Sequence, residues 1–169
     1  KKIWIVNIDA HFVNRVIEPQ TGATSCTGFW QIAQEEQLYS LHIGIQKNSN
    51  TLKLFDTAHQ LGMKYILSDE IFFENLPNIY EKIDLLTSQV DVLYVTICMD
   101  VFNASIAPVV SATAYNGLFA DASFLHLFRH LLQSTKLVAL DVAEINQTYD
   151  RQEQRARIAA SLICGGLGV

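Results

Sequence analysis

The segment VLYVTICM, positions 92–99, is apolar at nearly every position. A strand with one wetted face alternates apolar and polar side chains, so a continuous apolar run implies burial on both faces, as in a parallel sheet between helices. Similar runs occur at 2–8, 39–45, 64–67 and 137–142. Between them, apolar residues take helical spacing at 51–61, 70–88, 120–133 and 151–163. This alternation predicts an α/β chain, a three-layer α/β/α arrangement on a mainly parallel sheet with right-handed crossovers. The 169 residues suffice for a real core and contain no repeat, low-complexity segment or linker, so a single domain over 1–169 is expected.

Both ends of the chain are unusual. The opening lysines lead straight into a strand, and the last residues, LICGGLGV, are apolar with no polar stop. We expect both ends to cut through a larger sheet, leaving a partial one here.

Half of the residues are apolar and 17% are charged, which excludes a disordered chain. A net charge of −5 argues against a nucleic-acid surface and suits a cationic metal or substrate. No apolar run reaches the roughly 20 residues that span a bilayer, and Asn7 and Asp9 break the apolar start, so neither a membrane partner nor a signal peptide is expected. Cys26, Cys98 and Cys164 are widely spaced with no C-x-x-C, which predicts free thiols and a cytoplasmic location.

Candidate chemistry concentrates where strands end. In open α/β sheets, ligands bind outside the carboxyl ends of the strands. Asp9 and His11 close the first strand; Cys98 and Asp100 close the fourth. If the chain stays extended, Asp9, His11 and Val13 share one face, and only the first two can ligate a metal. Either aspartate alone could cap a turn, and Cys98 alone could be a small buried hydrophobe. Two such pairs on neighbouring strands would bring four potential ligands into one crevice.

DAHF, TICMDVFNASIAP, SATAYNGL and LDVAEINQTYD, in this order, resemble the ureohydrolase superfamily of arginases, agmatinases and formiminoglutamases. Its motifs are D-A-H-x-D, S-x-D-x-D and D-x-x-E-x-x-P. SCTGF is similar to the S-G-T-P-F segment of formiminoglutamases. The resemblance implies an arginase-like fold and a binuclear Mn²⁺ site whose hydroxide attacks the carbon of a small-molecule amidine or guanidine. For a formiminoglutamase, the substrate would be N-formimino-L-glutamate, cleaved to glutamate and formamide. Glu144 stands at the position that pairs with the amidinium, Arg15 is a candidate for the substrate carboxylate, and a homo-oligomer is expected.

Departures from the motifs set further expectations. Val13 replaces the third carboxylate of D-A-H-x-D, and Cys98 replaces the first aspartate of S-x-D-x-D. The upstream G-G-x-H histidine of the family does not occur in this sequence. Cys26 and Gly28 stand where the family has glycine and proline, Val109 where it has glycine, and Gln147 where it has proline. One metal position then keeps only Asp9 and should be empty. The other keeps Asp9, His11 and Asp100 with Cys98, a softer donor set that favours a single Zn²⁺, or no metal, over two Mn²⁺. The fold should tolerate valine and cysteine at these buried strand ends.

Other residues read as structural. His126 and His130 sit at i, i+4 in HLFRH but lack the glutamate of H-E-x-x-H. His42 and His59 have no partner at ligand spacing, and Cys164 precedes glycines that form no phosphate loop. Two functional classes follow. One is a formiminoglutamase-like hydrolase, impaired here by Val13 and Cys98, with agmatinase- or arginase-type hydrolysis as its variant. The other is a non-catalytic ureohydrolase-like module for metal binding or subunit contact. A nucleotide-binding domain is disfavoured because no glycine-rich loop follows any strand.

Overall fold

A computed structural model describes residues 1–108 and 110–167. Val109, where the resemblance places glycine, lies outside the described residues, as do Gly168 and Val169 at the end of the tail.

Five strands form one sheet: β1 (Ile3–Ile8), β2 (Ser40–Ile45), β3 (Lys64–Leu67), β4 (Val92–Cys98) and β5 (Leu137–Ala143). Their order is β3-β2-β1-β4-β5 and every pair is parallel. The chain steps from β1 outward to β2 and β3, then returns to lay β4 on the other side of β1. That reversal opens a crevice between the carboxyl ends of β1 and β4, the place where such sheets bind ligands.

The helices are α1 (Gly28–Glu35), α2 (Leu52–Gln60), α3 (Leu76–Ser88), α4 (Ala122–Leu132) and α5 (Gln154–Leu167). On one face of the sheet, Trp4, Val6, Leu93 and Val95 pack with Ile79 of α3, Phe128 of α4 and Leu162 of α5. On the other, Phe29 of α1 and Ala58 of α2 cluster with Phe12, Ile45 and Met63. β2 is buried at every position, as a continuous apolar run requires, whereas β4 alternates buried with half-buried residues and no residue of β5 is buried, because the helical layer around Phe29 and Ala58 packs on β1 to β3 and not on β4 and β5. β5 is an edge strand, and Val138 on it is 64% exposed.

Local chemistry explains where the elements depart from their sequence expectation. The stretch expected as a helix over 70–88 begins with 3-10 turns at Ser68–Glu70 and Phe73–Asn75, and α3 starts at Leu76 because Pro77 suits only a first helical turn. The sequence pattern does not predict α1. Its helical face is short, and the Thr27 hydroxyl before it lies 2.8 Å from both Thr24 O and Gln31 Oε1 and caps no helix N–H. α5 starts at Gln154 and runs past the expected end at 163 through Gly165 and Gly166. A Cβ on Gly166 would lie 2.2 Å from Leu132 Cδ1, so glycine there lets α5 approach α4 closely. Among the described residues no helix is long and apolar enough to cross a membrane.

Candidate metal centre

The strand register brings the two polar pairs together. Ile8 is the partner of Ile97, so Asp9 and Cys98 leave adjacent strands side by side. Past β1 the chain is no longer extended: Asp9 Oδ1 accepts the His11 backbone N–H at 2.7 Å, a tight turn made by the aspartate's own side chain. Past β4 a 3-10 turn, Met99–Val101, swings Asp100 back toward β1, where its Oδ1 lies 3.5 Å from the Ala10 N.

Asp9, Cys98 and Asp100 are buried, and one ligand atom from each lies within 4.8 Å of the others. Of the four residues expected to converge, His11 stands at the edge: its Nδ1 is 2.9 Å from Asp100 Oδ2 and 3.4 Å from Asp9 Oδ1, but it does not come within the same 4.8 Å set as Cys98. Below this group, Asn7 Nδ2 donates to Asp9 Oδ2 at 3.4 Å and faces His42 Nδ1 at 3.5 Å. Among the described residues no other cluster of three or more ligand-type side chains occurs.

Burial sets the electrostatics. It pushes Asp9 up to about 6, against the hydrogen bond from His11 and with the charge of Asp100. Burial also acts to raise Asp100, but the hydrogen bonds from His11 and Cys98 hold it below the ordinary carboxylate range. The hydrogen bond to Asp100, followed by that to Asp9, lifts His11 to about 10. Burial, with the two negative carboxylates, raises the Cys98 thiol far above its usual value. Two close carboxylates thus keep a proton on His11, in a place where a dication would supply the same compensating charge.

Val13 takes no part in this group, and the shared face expected from strand alternation does not exist. β1 ends at Ile8, and Val13 has φ 54°, a left-handed conformation that a β-branched residue adopts only under strain. Its side chain packs with the apolar cluster around Phe12 and Phe29. The close donor set is Asp9, Cys98 and Asp100, with His11 beside the two carboxylates, and it has room for one divalent cation. It does not fit a pair of Mn²⁺ ions, since the described residues present no further carboxylate to a second position.

Glu144 follows β5 directly, at the same sheet edge, with Ala143 opposite Cys98. Its carboxylate does not join the metal-ligand group. Glu144 Oε2 accepts Ser111 N–H and Oε1 accepts Ser111 Oγ–H, each at 2.9 Å. Ser111 carried no signal as a site residue beyond its place in SATAYNGL. Arg15 is exposed; its backbone N–H donates to Cys26 O at 2.9 Å, and among the described residues its guanidinium makes no ion pair. Cys26 is exposed, Gly28 opens α1, and Gln147 lies in the turn before α5.

The remaining histidines have partners suited to packing. His130 Nε2 is 2.8 Å from Asp84 Oδ1 and its ring stacks on Tyr80, His126 meets Phe73 edge to face, and His59 lies 3.2 Å from the Tyr65 hydroxyl. All three cysteines are free.

The arginase-family model matches this chain over residues 1–167, and the chain belongs to that family. It is 42% identical to the formimidoylglutamase of Staphylococcus carnosus over 159 residues, 94% of this chain and 50% of that protein. It is 36% identical to the formimidoylglutamase of Staphylococcus aureus over 164 residues, 96% of this chain and 51% of that protein. The chain thus spans about half the length of these relatives. Among solved structures, the formimidoylglutamase of Bacillus subtilis superposes with a TM-score of 0.89 at 24% identity, covering 99% of this chain and 53% of that one. The arginase of Bacillus caldovelox gives 0.82 at 16% identity, over 99% of this chain and 60% of that one. At these identities the structures speak for the fold, which is arginase-like.

Proposed function

We propose that this chain carries the site of a formimidoylglutamase-type hydrolase in weakened form, acting on the C–N bond of an amidine, with N-formimino-L-glutamate as substrate and glutamate and formamide as products. The observation that carries this reading is the convergence of Asp9, Cys98 and Asp100 at the switch point, with His11 against the two carboxylates. Two relatives named formimidoylglutamase support the choice of amidine over guanidine.

Asp9, Cys98 and Asp100, with His11 beside them, would hold the cation; a dication held by three protein donors keeps a position open for water and would lower its pKa enough to supply a nucleophile near neutral pH. The family's second Mn²⁺ is not supported by the residues present, and no step is assigned to it. Glu144 offers two coplanar acceptor oxygens, already oriented by Ser111, to the N–H groups of the substrate amidinium. Arg15, exposed on the loop after β1, would take the substrate carboxylate. A cytoplasmic homo-oligomer is part of the same proposal.

Val13 favours a second reading, a non-catalytic module that retains one cation. Its apolar packing and left-handed backbone stand where a carboxylate would serve a second metal. Metal analysis decides between the two, together with assays on formiminoglutamate, guanidinobutyrate, agmatine and arginine. Slow turnover of formiminoglutamate above the other substrates supports the hydrolase. One cation per chain with no turnover of any substrate supports the module, and efficient turnover with two Mn²⁺ per chain would overturn the assignment of Val13 and Cys98 as disabling.

A further inference from the structure

Arg155 is a charged side chain buried to 1% exposure, and the chemistry above makes no use of it. It sits in the first turn of α5, yet its guanidinium reaches back to the loop that follows β5. Nη2 donates to Asn146 O at 3.0 Å and Nη1 to Glu144 O at 3.4 Å. Nε faces Asp150 Oδ1 at 3.4 Å. Asp150 is itself fixed at the start of α5, where it accepts the backbone N–H groups of Arg155 and Ala156 at 3.0 Å each.

Glu144 has φ 64°, a left-handed conformation that costs energy in any residue with a Cβ and persists only where its surroundings impose it. That turn redirects the chain at the end of β5, next to the carboxylate's contact with Ser111. A buried guanidinium needs acceptors in fixed directions, and the carbonyls of Glu144 and Asn146 lie where it needs them.

We infer that Arg155 is a positioning residue for Glu144: anchored by Asp150, its guanidinium fixes the 144–146 loop so that the Glu144 carboxylate stays on Ser111, oriented for an amidinium. The functional half of this inference rests on the proposed role of Glu144; the geometric half does not. Lysine keeps the charge but is a single point donor that cannot span two carbonyls and a carboxylate. Arg155→Lys therefore separates geometry from charge.

The Ser111 amide reports the contact, because its N–H is bonded to the Glu144 carboxylate. In the full chain, R155K should speed hydrogen exchange at Ser111 at least tenfold and weaken acetamidinium binding at least fivefold, while Ala159 and Leu162 in α5 keep their protection. Unchanged exchange at Ser111 overturns the inference, as does equal loss of protection along α5, which would make Arg155 merely structural. If R155K does not fold, Asp150→Asn retains the arginine and loosens its anchor; faster Ser111 exchange then supports the inference and none overturns it. A wild-type chain that binds no acetamidinium would count against the amidinium role of Glu144, while Ser111 exchange still decides the role of Arg155.

Discussion

Ile8 and Ile97 face one another across the β1–β4 pair, and this register alone sets Asp9 beside Cys98. A shift of one residue would turn the following side chain to the opposite face of the sheet and disperse the ligand group. The cluster of Asp9, Cys98 and Asp100 is therefore a consequence of strand pairing, and its behaviour as a candidate metal centre can be tested residue by residue.

One Zn²⁺ should bind per chain. Isothermal titration should give a stoichiometry near one, and Asp100→Asn should weaken affinity by about 100-fold or more, since it removes both a donor and the partner of His11. Binding of two ions, or an indifferent Asp100→Asn, would contradict the donor set.

Val13→Asn should stabilise the fold by about 1 kcal/mol, because asparagine tolerates the left-handed conformation that valine resists. Thermal unfolding checks this, and a lower midpoint than wild type would argue that the packing of Val13 outweighs its backbone strain. Because the Val13 side chain packs in the apolar cluster, Cys98→Asp alone should raise Mn²⁺ affinity about tenfold by replacing a soft donor with a hard one, and an unchanged affinity by titration would contradict this.

Acid should act on the fold through His42. Burial lowers it from 6.5 to about 3, so the folded chain refuses a proton that the unfolded chain accepts. Its contribution to stability is fully present above 6.5 and is lost as the pH falls from 6.5 toward 3, at up to about 1.4 kcal/mol per pH unit. Urea midpoints of wild type and His42→Gln at several pH values should diverge in that window, the wild type falling more steeply. Parallel curves would mean that His42 is protonated in the folded state.

Gly117→Ala should destabilise the chain by about 2–3 kcal/mol. A Cβ at that position would sit 2.4 Å from Phe102 C and 2.5 Å from Asn103 N, where no side chain can move aside. Urea unfolding measures it, and an unchanged midpoint would show that this loop shifts freely.

Much of the fold was legible because near-continuous apolar runs mark the strands of a parallel sheet; β2 is buried on both faces as that signature implies, while β4 alternates buried and half-buried residues. α1 was not legible, since its eight residues are held by Phe29 against the sheet more than by any local cap. Asp9, His11, Cys98 and Asp100 stood out as polar residues ending apolar strands. Glu144 was visible through its motif, but its partner Ser111 lies 33 positions away and carries no periodic signal. Arg155 resembles any solvated residue of a helical first turn until its burial is seen.

The sequence by itself determined the five strands and four of the five helices described, the parallel class of the sheet and the residues able to ligate a metal, because periodicity and donor chemistry are local properties of the chain. Only the tertiary structure decided that the two polar pairs meet, that Val13 turns into an apolar cluster and that Arg155 reaches the Glu144 loop. Each of these depends on strand register, loop direction or helix placement, and those are set by contacts between segments far apart in the chain.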